Sequence, residues 1–340
     1  MTPAPHAQLL ASRELTLHDA PASWPALSTE TIDAHAPDAS VVIRDGNALR
    51  ARCSLWWSDV PSFGAQQLGV IGHYAAAGDD DGRAVLTAAI DELGRRGCTY
   101  AVGPMDGNTW RSYRLVVDSG AEPPFFLEPT NPESWPGQFN TVGFTPLAHY
   151  YSSLNTDLGR RDERSEKTAA RLTDLGVAIR PVDLARFEDE LHGIYAVASV
   201  AFRDAFLYTP LPEAEFAAQY QRIRPYVRPE LMLIAERDGQ PVGFSFNIPD
   251  VLEMKRGGPP RTAIIKTLAI LPDRGYAGLG SLLVDRSHAA MKSLGFGRAI
   301  HALMHESNRS RSISARGAEP MRRYALFGRV LSASGGAGGM

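Results

Sequence analysis

A chain of 340 residues, 44% hydrophobic and 21% charged, has ample apolar content for a sizeable core, which excludes a disordered segment, a collagen or a small disulfide scaffold. Its 35 Lys and Arg against 38 Asp and Glu leave a net charge of -3, too balanced for a global field to hold nucleic acid or an anionic membrane. Cys53 and Cys98 stand far apart with no second Cys or close His at a metal-ligand spacing, so free thiols in a cytoplasmic setting are expected, and no metal.

No apolar run approaches the roughly 20 residues of a membrane helix, and the start, Met1-Thr2-Pro3-Ala4-Pro5-His6, lacks the basic-then-apolar order of a signal peptide. In chain order, the first readable elements are a strand over 67–75, a helix over 83–95 with Val85, Ala89 and Leu93 on one face, and a strand over 99–102. Gly78-Asp79-Asp80-Asp81-Gly82 precedes that helix. Its three carboxylates suit a capped N-terminus and would repel an anion placed there. Between 110 and 151, aromatic residues such as Trp110, Phe125, Phe126, Trp135 and Tyr151 interleave with prolines, which points to core filling or to a long loop over a pocket or domain seam.

The most charged stretch, 157–171, reads as a solvated connecting helix. A strand at 177–180 and two helical stretches follow, then strands at 231–236 and 242–247 flanking the turn signal Asp238-Gly239. Residues 262–271 are nearly all apolar or β-branched, as in a strand covered on both faces. Leu279, Leu283, Ala290 and Leu294 then recur at helical spacing, Gly295 stops the helix, and 298–304 forms a further short strand. The strand, helix, strand order thus occurs in both halves.

Between the buried strand and its helix runs Leu268-Ala269-Ile270-Leu271-Pro272-Asp273-Arg274-Gly275-Tyr276-Ala277-Gly278-Leu279-Gly280-Ser281. Glycines at a helix entrance let a ligand approach free N–H groups and the positive end of the dipole, which suits a phosphate. The Lys-Ser/Thr ending of a P-loop and the Gly-x-Gly-x-x-Gly order of a dinucleotide fold are both missing.

On this segment the sequence resembles the GNAT superfamily of acyl-CoA-dependent N-acyltransferases. Leu268-Ala269-Ile270, Pro272, Gly278 and Gly280 fall in register with that family's strand and loop, while Gly275 takes its Arg/Gln position and Arg274 is displaced by one. The resemblance implies an α/β fold of two GNAT-like domains, each a mixed central sheet flanked by helices. The divisions it implies are a degenerate domain over 1–156 with no CoA site, a connecting helix over 157–176, an acyltransferase domain over 177–331 and a flexible tail over 332–340.

It further implies that the main chain of Leu268 and Ile270 pairs with the pantetheine arm. The amides of Tyr276, Ala277, Gly278, Leu279, Gly280 and Ser281 would cradle the pyrophosphate, with Asn308 near the cofactor. Lys266 stands where members often carry a Glu base, so His305 and Glu306 become the candidate bases, with water as a substitute. The family's Tyr acid has no counterpart in 309–319, which leaves Ser312, Ser314 and Tyr324 as candidate donors. The implied activity is transfer of an acyl group, most simply from acetyl-CoA, to an amine of a small molecule or protein, by direct attack in a ternary complex and without a metal. Two alternatives stay open: a non-catalytic acyl-CoA sensor, and aminoacyl transfer from charged tRNA. The arginines at 298, 309, 311, 316, 322, 323 and 329 read as a solvated face or as a local positive field.

Overall fold

Leu68–Ala76 buries all nine of its residues, as a strand covered on both faces must; it is strand β4 of a computed structural model describing residues 6–11, 20–160, 162–307 and 317–331. Before it come β1 (His6–Leu10), α1 (Thr29–His35), β2 (Ala39–Asp45) and β3 (Ala48–Trp56). After it come α2 (Asp79–Arg95), β5 (Tyr100–Gly103), β6 (Leu115–Asp118), α3 (Ser134–Thr141) and β7 (Thr145–Asn155). The second half contributes α4 (Ser165–Asp174), β8 (Val177–Pro181), α5 (Phe187–Ala201), α6 (Glu213–Ile223), β9 (Met232–Arg237) and β10 (Gln240–Pro249). It ends with α7 (Val251–Lys255), β11 (Thr262–Ile270), α8 (Leu279–Ser293), β12 (Arg298–His305) and β13 (Ala318–Val330). Asn308, Ser312, Ser314, the arginines at 309, 311 and 316, and the tail over 332–340 lie outside the described residues.

The local signals act as expected. Val85, Ala89 and Leu93 form the buried face of α2, side chains such as Val85 and Leu93 contributing about 1.5–3 kcal/mol each when fully buried. Asp238 (φ 52°) and Gly239 (φ 74°) supply the paired left-handed conformations of a type I′ turn between β9 and β10. Alternation along β9 builds two layers: Ile234 joins the cluster under α5 with Leu191 and Ile194, whereas Leu233 and Ala235 join the cluster under α8 with Leu279 and Leu283.

All strands join one mixed sheet in the order β1-β2-β3-β4-β5-β13-β7-β12-β11-β10-β9-β8, with β6 also bonded to β13. The last strand of each half is exchanged. β7, from the first half, lies between β12 and β13, while β13 bonds to β5 of the first half. Hydrogen bonding therefore crosses the division expected between 1–156 and 177–331.

The proline-rich aromatic segment serves both as core and as seam. Trp135, Phe139 and Phe144 fill the first half's core, whereas Phe125 is buried in the second half's, next to Phe244 and Ile248. The Phe126 N–H donates to Asp250 across the same seam at 2.9 Å. The described arginines of the C-terminal region are mostly spent on structure: Arg298 pairs with Glu122, Arg322 with Glu128, and Arg329 donates to the Val142 carbonyl.

Candidate active site

The parallel strands β11 and β12 pair only from Thr262↔Arg298 to Ile265↔His301 and separate beyond that point. On its other side β11 stays paired with β10 up to Gly243↔Ile270. The Leu271 N–H donates to Val242 O at 2.9 Å, toward β10. Successive peptides alternate in direction, so Leu268 and Ile270 turn their N–H and C=O groups to the opposite, open edge. Among the described residues no strand covers that edge. It is a row of main-chain donors and acceptors for an extended ligand with amide groups.

Eight residues, 271–278, connect β11 to α8. Asp273 takes the Gly275 N–H at 2.6 Å and, through its carbonyl, the Tyr276 N–H at 3.1 Å; Arg274 O takes the Ala277 N–H, also at 3.1 Å. Tyr276 and Ala277 are therefore not free phosphate donors, contrary to the expectation. Their amides close a single 3-10 turn. Free donors begin at Gly278 and continue through Leu279, Gly280 and Ser281, since the first bond of α8 is Leu282 N–H to Gly278 O. Gly278 needs to be glycine on two counts: its φ is +85°, and a Cβ would lie 2.9 Å from Thr168 Cγ2. From the adjacent α4, the Arg171 guanidinium donates to Gly275 O at 2.7 Å and to Ala277 O. Those bonds tie two of the loop's carbonyls to α4.

The corresponding turn of the first half is far shorter. Only Ala77 and Gly78 separate β4 from α2, and Asp79, Asp80 and Asp81 form the helix's first turn. Neither room nor charge there suits a pyrophosphate.

Lys266 is the first residue beyond the end of β11–β12 pairing. Its ammonium donates to Leu127 O at 3.1 Å. Burial, with the charge of Arg114 added, pushes Lys266 down to about 7, against the opposing pull of Glu128. Glu128 and Arg322 form a buried pair at 2.5 Å, and the carboxylate also accepts from the Phe125 N–H at 3.1 Å. Burial holds the Glu128 carboxyl above its usual range while Tyr324 and Arg322 pull it down.

Tyr324 does not fit the role of an acid at the wedge. It is wholly buried, its hydroxyl donates to Glu128 and lies 3.0 Å from Ser152 Oγ, and burial together with the Glu128 charge raises its pKa. The hydroxyl is a strut between β13 and the Glu128 loop. Glu306 is half-buried and pairs with Arg323 at 3.6 Å. His305 packs edge-on against Tyr150 at 4.9 Å, and its Nδ1 accepts the Ser307 N–H at 3.1 Å. In the neutral ring that acceptor role puts the proton on Nε2, so His305 presents a donor rather than the base expected of it. Burial is the main reason its pKa is lowered.

Sequence reasoning missed Glu128, Arg171 and Arg114. Arg114 lies over the Tyr113 and Tyr150 rings at 3.8 and 4.1 Å and donates to Leu303 O at 3.2 Å. The one available signal for Glu128 was a single carboxylate inside Phe125-Phe126-Leu127-Glu128-Pro129.

Among the described residues no helix is long and apolar enough to cross a membrane. Residues 192–314 match the acetyltransferase (GNAT) family model. A bacterial ceramide synthase of Caulobacter vibrioides is 25% identical over 186 residues, 54% of this chain; the match spans about half (48%) of that protein's length. A probable N-acyltransferase of Enterococcus faecalis superposes with a TM-score of 0.57 at 11% identity, covering 97% of this chain and 73% of the other. The glucosamine N-acetyltransferase region of a fungal multi-domain β-N-acetylglucosaminidase superposes with a TM-score of 0.51 at 13% identity, covering 86% and 33%. At those identities the two structures share the fold.

Proposed function

We propose that this chain, whose residues 192–314 match the acetyltransferase (GNAT) family model, transfers an acyl group from an acyl-CoA, most simply acetyl-CoA, to an amine. One observation carries the reading: an open strand edge at Leu268 and Ile270 leads to four consecutive free amides at Gly278–Ser281. The residues fit the co-substrate. Pantetheine amides suit the strand edge, and the diphosphate suits the amides at the positive end of a 15-residue helix.

The acyl-CoA supplies a thioester. The amine nitrogen bonds to its carbonyl carbon, the C–S bond breaks, the nitrogen gives up a proton and the departing thiolate gains one. The Ile270 N–H polarises the thioester carbonyl. Lys266 in its neutral form takes the amine's proton, standing where many relatives of this fold carry a carboxylate. His305 offers a hydrogen bond from its Nε2–H to the departing sulfur, and the thiolate takes its proton from water. Cys53 and Cys98 are buried, and burial raises both thiols, so neither serves as an acyl carrier.

A second reading of the acceptor takes support from the relative named as a ceramide synthase: a lipid amine and a longer acyl chain. Calorimetry with acetyl-CoA and with palmitoyl-CoA, followed by free-thiol release over a panel of small and long-chain amines, tests both. Binding of neither thioester refutes the proposal. Binding without turnover on any amine makes the chain a sensor.

A further inference from the structure

The first half has a wedge of its own, since β4 and β5 pair only from Leu68↔Tyr100 to Val70↔Val102. It encloses a cavity of about 100 Å³ whose lining includes Arg52, His73, Tyr74, Asp106, Tyr113 and Trp135. Two of its lining residues, His73 and Asp106, meet a third side chain of metal-ligating type, His35. His35 Nδ1 lies 2.8 Å from His73 Nε2, His73 Nε2 lies 3.9 Å from Asp106 Oδ2, and all three ligand atoms fall within 4.8 Å of one another. They come from three separate elements: the end of α1, the middle of β4 and the loop after β5.

We propose that the first half binds a divalent transition-metal ion of the zinc and cobalt class through His35 Nδ1, His73 Nε2 and Asp106 Oδ2, with its remaining coordination position open to the cavity. Two imidazoles and a carboxylate with one open position form a ligand set typical of such ions. A tetrahedral ion about 2.0–2.1 Å from each ligand needs ligand separations of about 3.3 Å. The imidazoles must part by about half an ångström, and the carboxylate must turn inward.

The supporting contacts are those of a built site. His73 Nδ1 lies 3.0 Å from Ser54 Oγ, and in the tautomer that donates to that hydroxyl the Nε2 lone pair faces His35. The other Asp106 oxygen accepts the His73 main-chain N–H at 2.6 Å. His73 itself is left-handed, with φ +48°, where the β3–β4 register shifts, and a bulge of this kind re-aims a side chain. On binding, His35 moves its remaining proton from Nδ1 to Nε2, and the hydrogen bond between the rings gives way to two metal–nitrogen bonds.

Arg52 and Arg111 act on His73, and Arg222 adds to the positive field at His35. Arg111 is committed to a two-point pair with Glu215 at 2.8 and 2.9 Å. Arg52 donates to His73 O at 3.3 Å and to Pro25 O at 2.5 Å. Its charge favours hydroxide or another small anion in the open position.

Tag-free protein stripped with a chelator and titrated with zinc chloride in a calorimeter should bind one equivalent per chain. His35→Ala and Asp106→Asn should each weaken binding by more than the 10- to 100-fold typical of an outer-shell change, and Ser54→Ala should fall within that range. Circular dichroism checks that each variant is folded. In His35→Cys, cobalt should add a sulfur charge-transfer band that the wild type lacks. Absence of saturable binding, a stoichiometry unchanged in His35→Ala, or absence of the new band would overturn the assignment.

Discussion

Gly278 concentrates the demands of the site in one residue, because its φ of +85° and its contact with Thr168 leave no space for a side chain. Gly278→Glu should abolish acetyl-CoA binding in a calorimetric titration, while Asp80→Ala, in the short acidic turn of the first half, should leave it unchanged. With Lys266 lowered to about 7, the neutral, proton-accepting form gains population as pH rises through that value. The turnover rate should therefore climb through about pH 7 and level off above it, and Lys266→Met should lose that limb while still binding the thioester. Glu128→Ala strands the buried Arg322 charge and should cost about 3–5 kcal/mol in urea denaturation. Glycines at a helix entrance are legible in a sequence because backbone conformation is a local property. Glu128 is not, since its meaning comes from Arg322 and Tyr324, nearly 200 positions away, and from the burial that a chain-crossing loop creates.

The strand and helix that frame the wedge were read from apolar continuity over 262–271 and from the spacing of Leu279, Leu283 and Ala290; the structure has them as β11 and α8. The stretch over 157–176 reads in sequence as a connecting helix because charge dominates it; in the structure the helix spans Ser165–Asp174, with Leu172 its one buried residue. In space it braces the glycine loop through Thr168 and Arg171, and its first turn is tied to α8 where Ser165 donates to Asp285. Arg171→Ala should weaken acetyl-CoA binding by about tenfold, the equivalent of one modest hydrogen bond. It should also speed hydrogen exchange at the amides of 275–281, which a purely connecting helix would leave unmoved.

The α/β class and the doubled order of elements were legible across the whole molecule, since each half repeats its own periodicities. The exchange of β7 and β13 was not, because each carries a continuous buried run at its centre, 150–153 and 324–328, which fits any interior position of a sheet whichever neighbour it takes. A proteolytic nick within 156–164, between β7 and α4, should leave both halves together on gel filtration and preserve a single thermal transition, because β7 and β13 remain bonded across the cut. Separate elution of the two pieces would contradict the observed pairing. The position of β13 also bears on biosynthesis. The strand that closes the middle of the sheet comes after every other described strand in chain order, so a nascent chain leaving the ribosome holds β5 and β7 with a raw edge each until β13 has emerged. Chains stalled at residue 316 should be protease-sensitive and recruit holdase chaperones, while release after 331 should let the two edges zip around the newcomer.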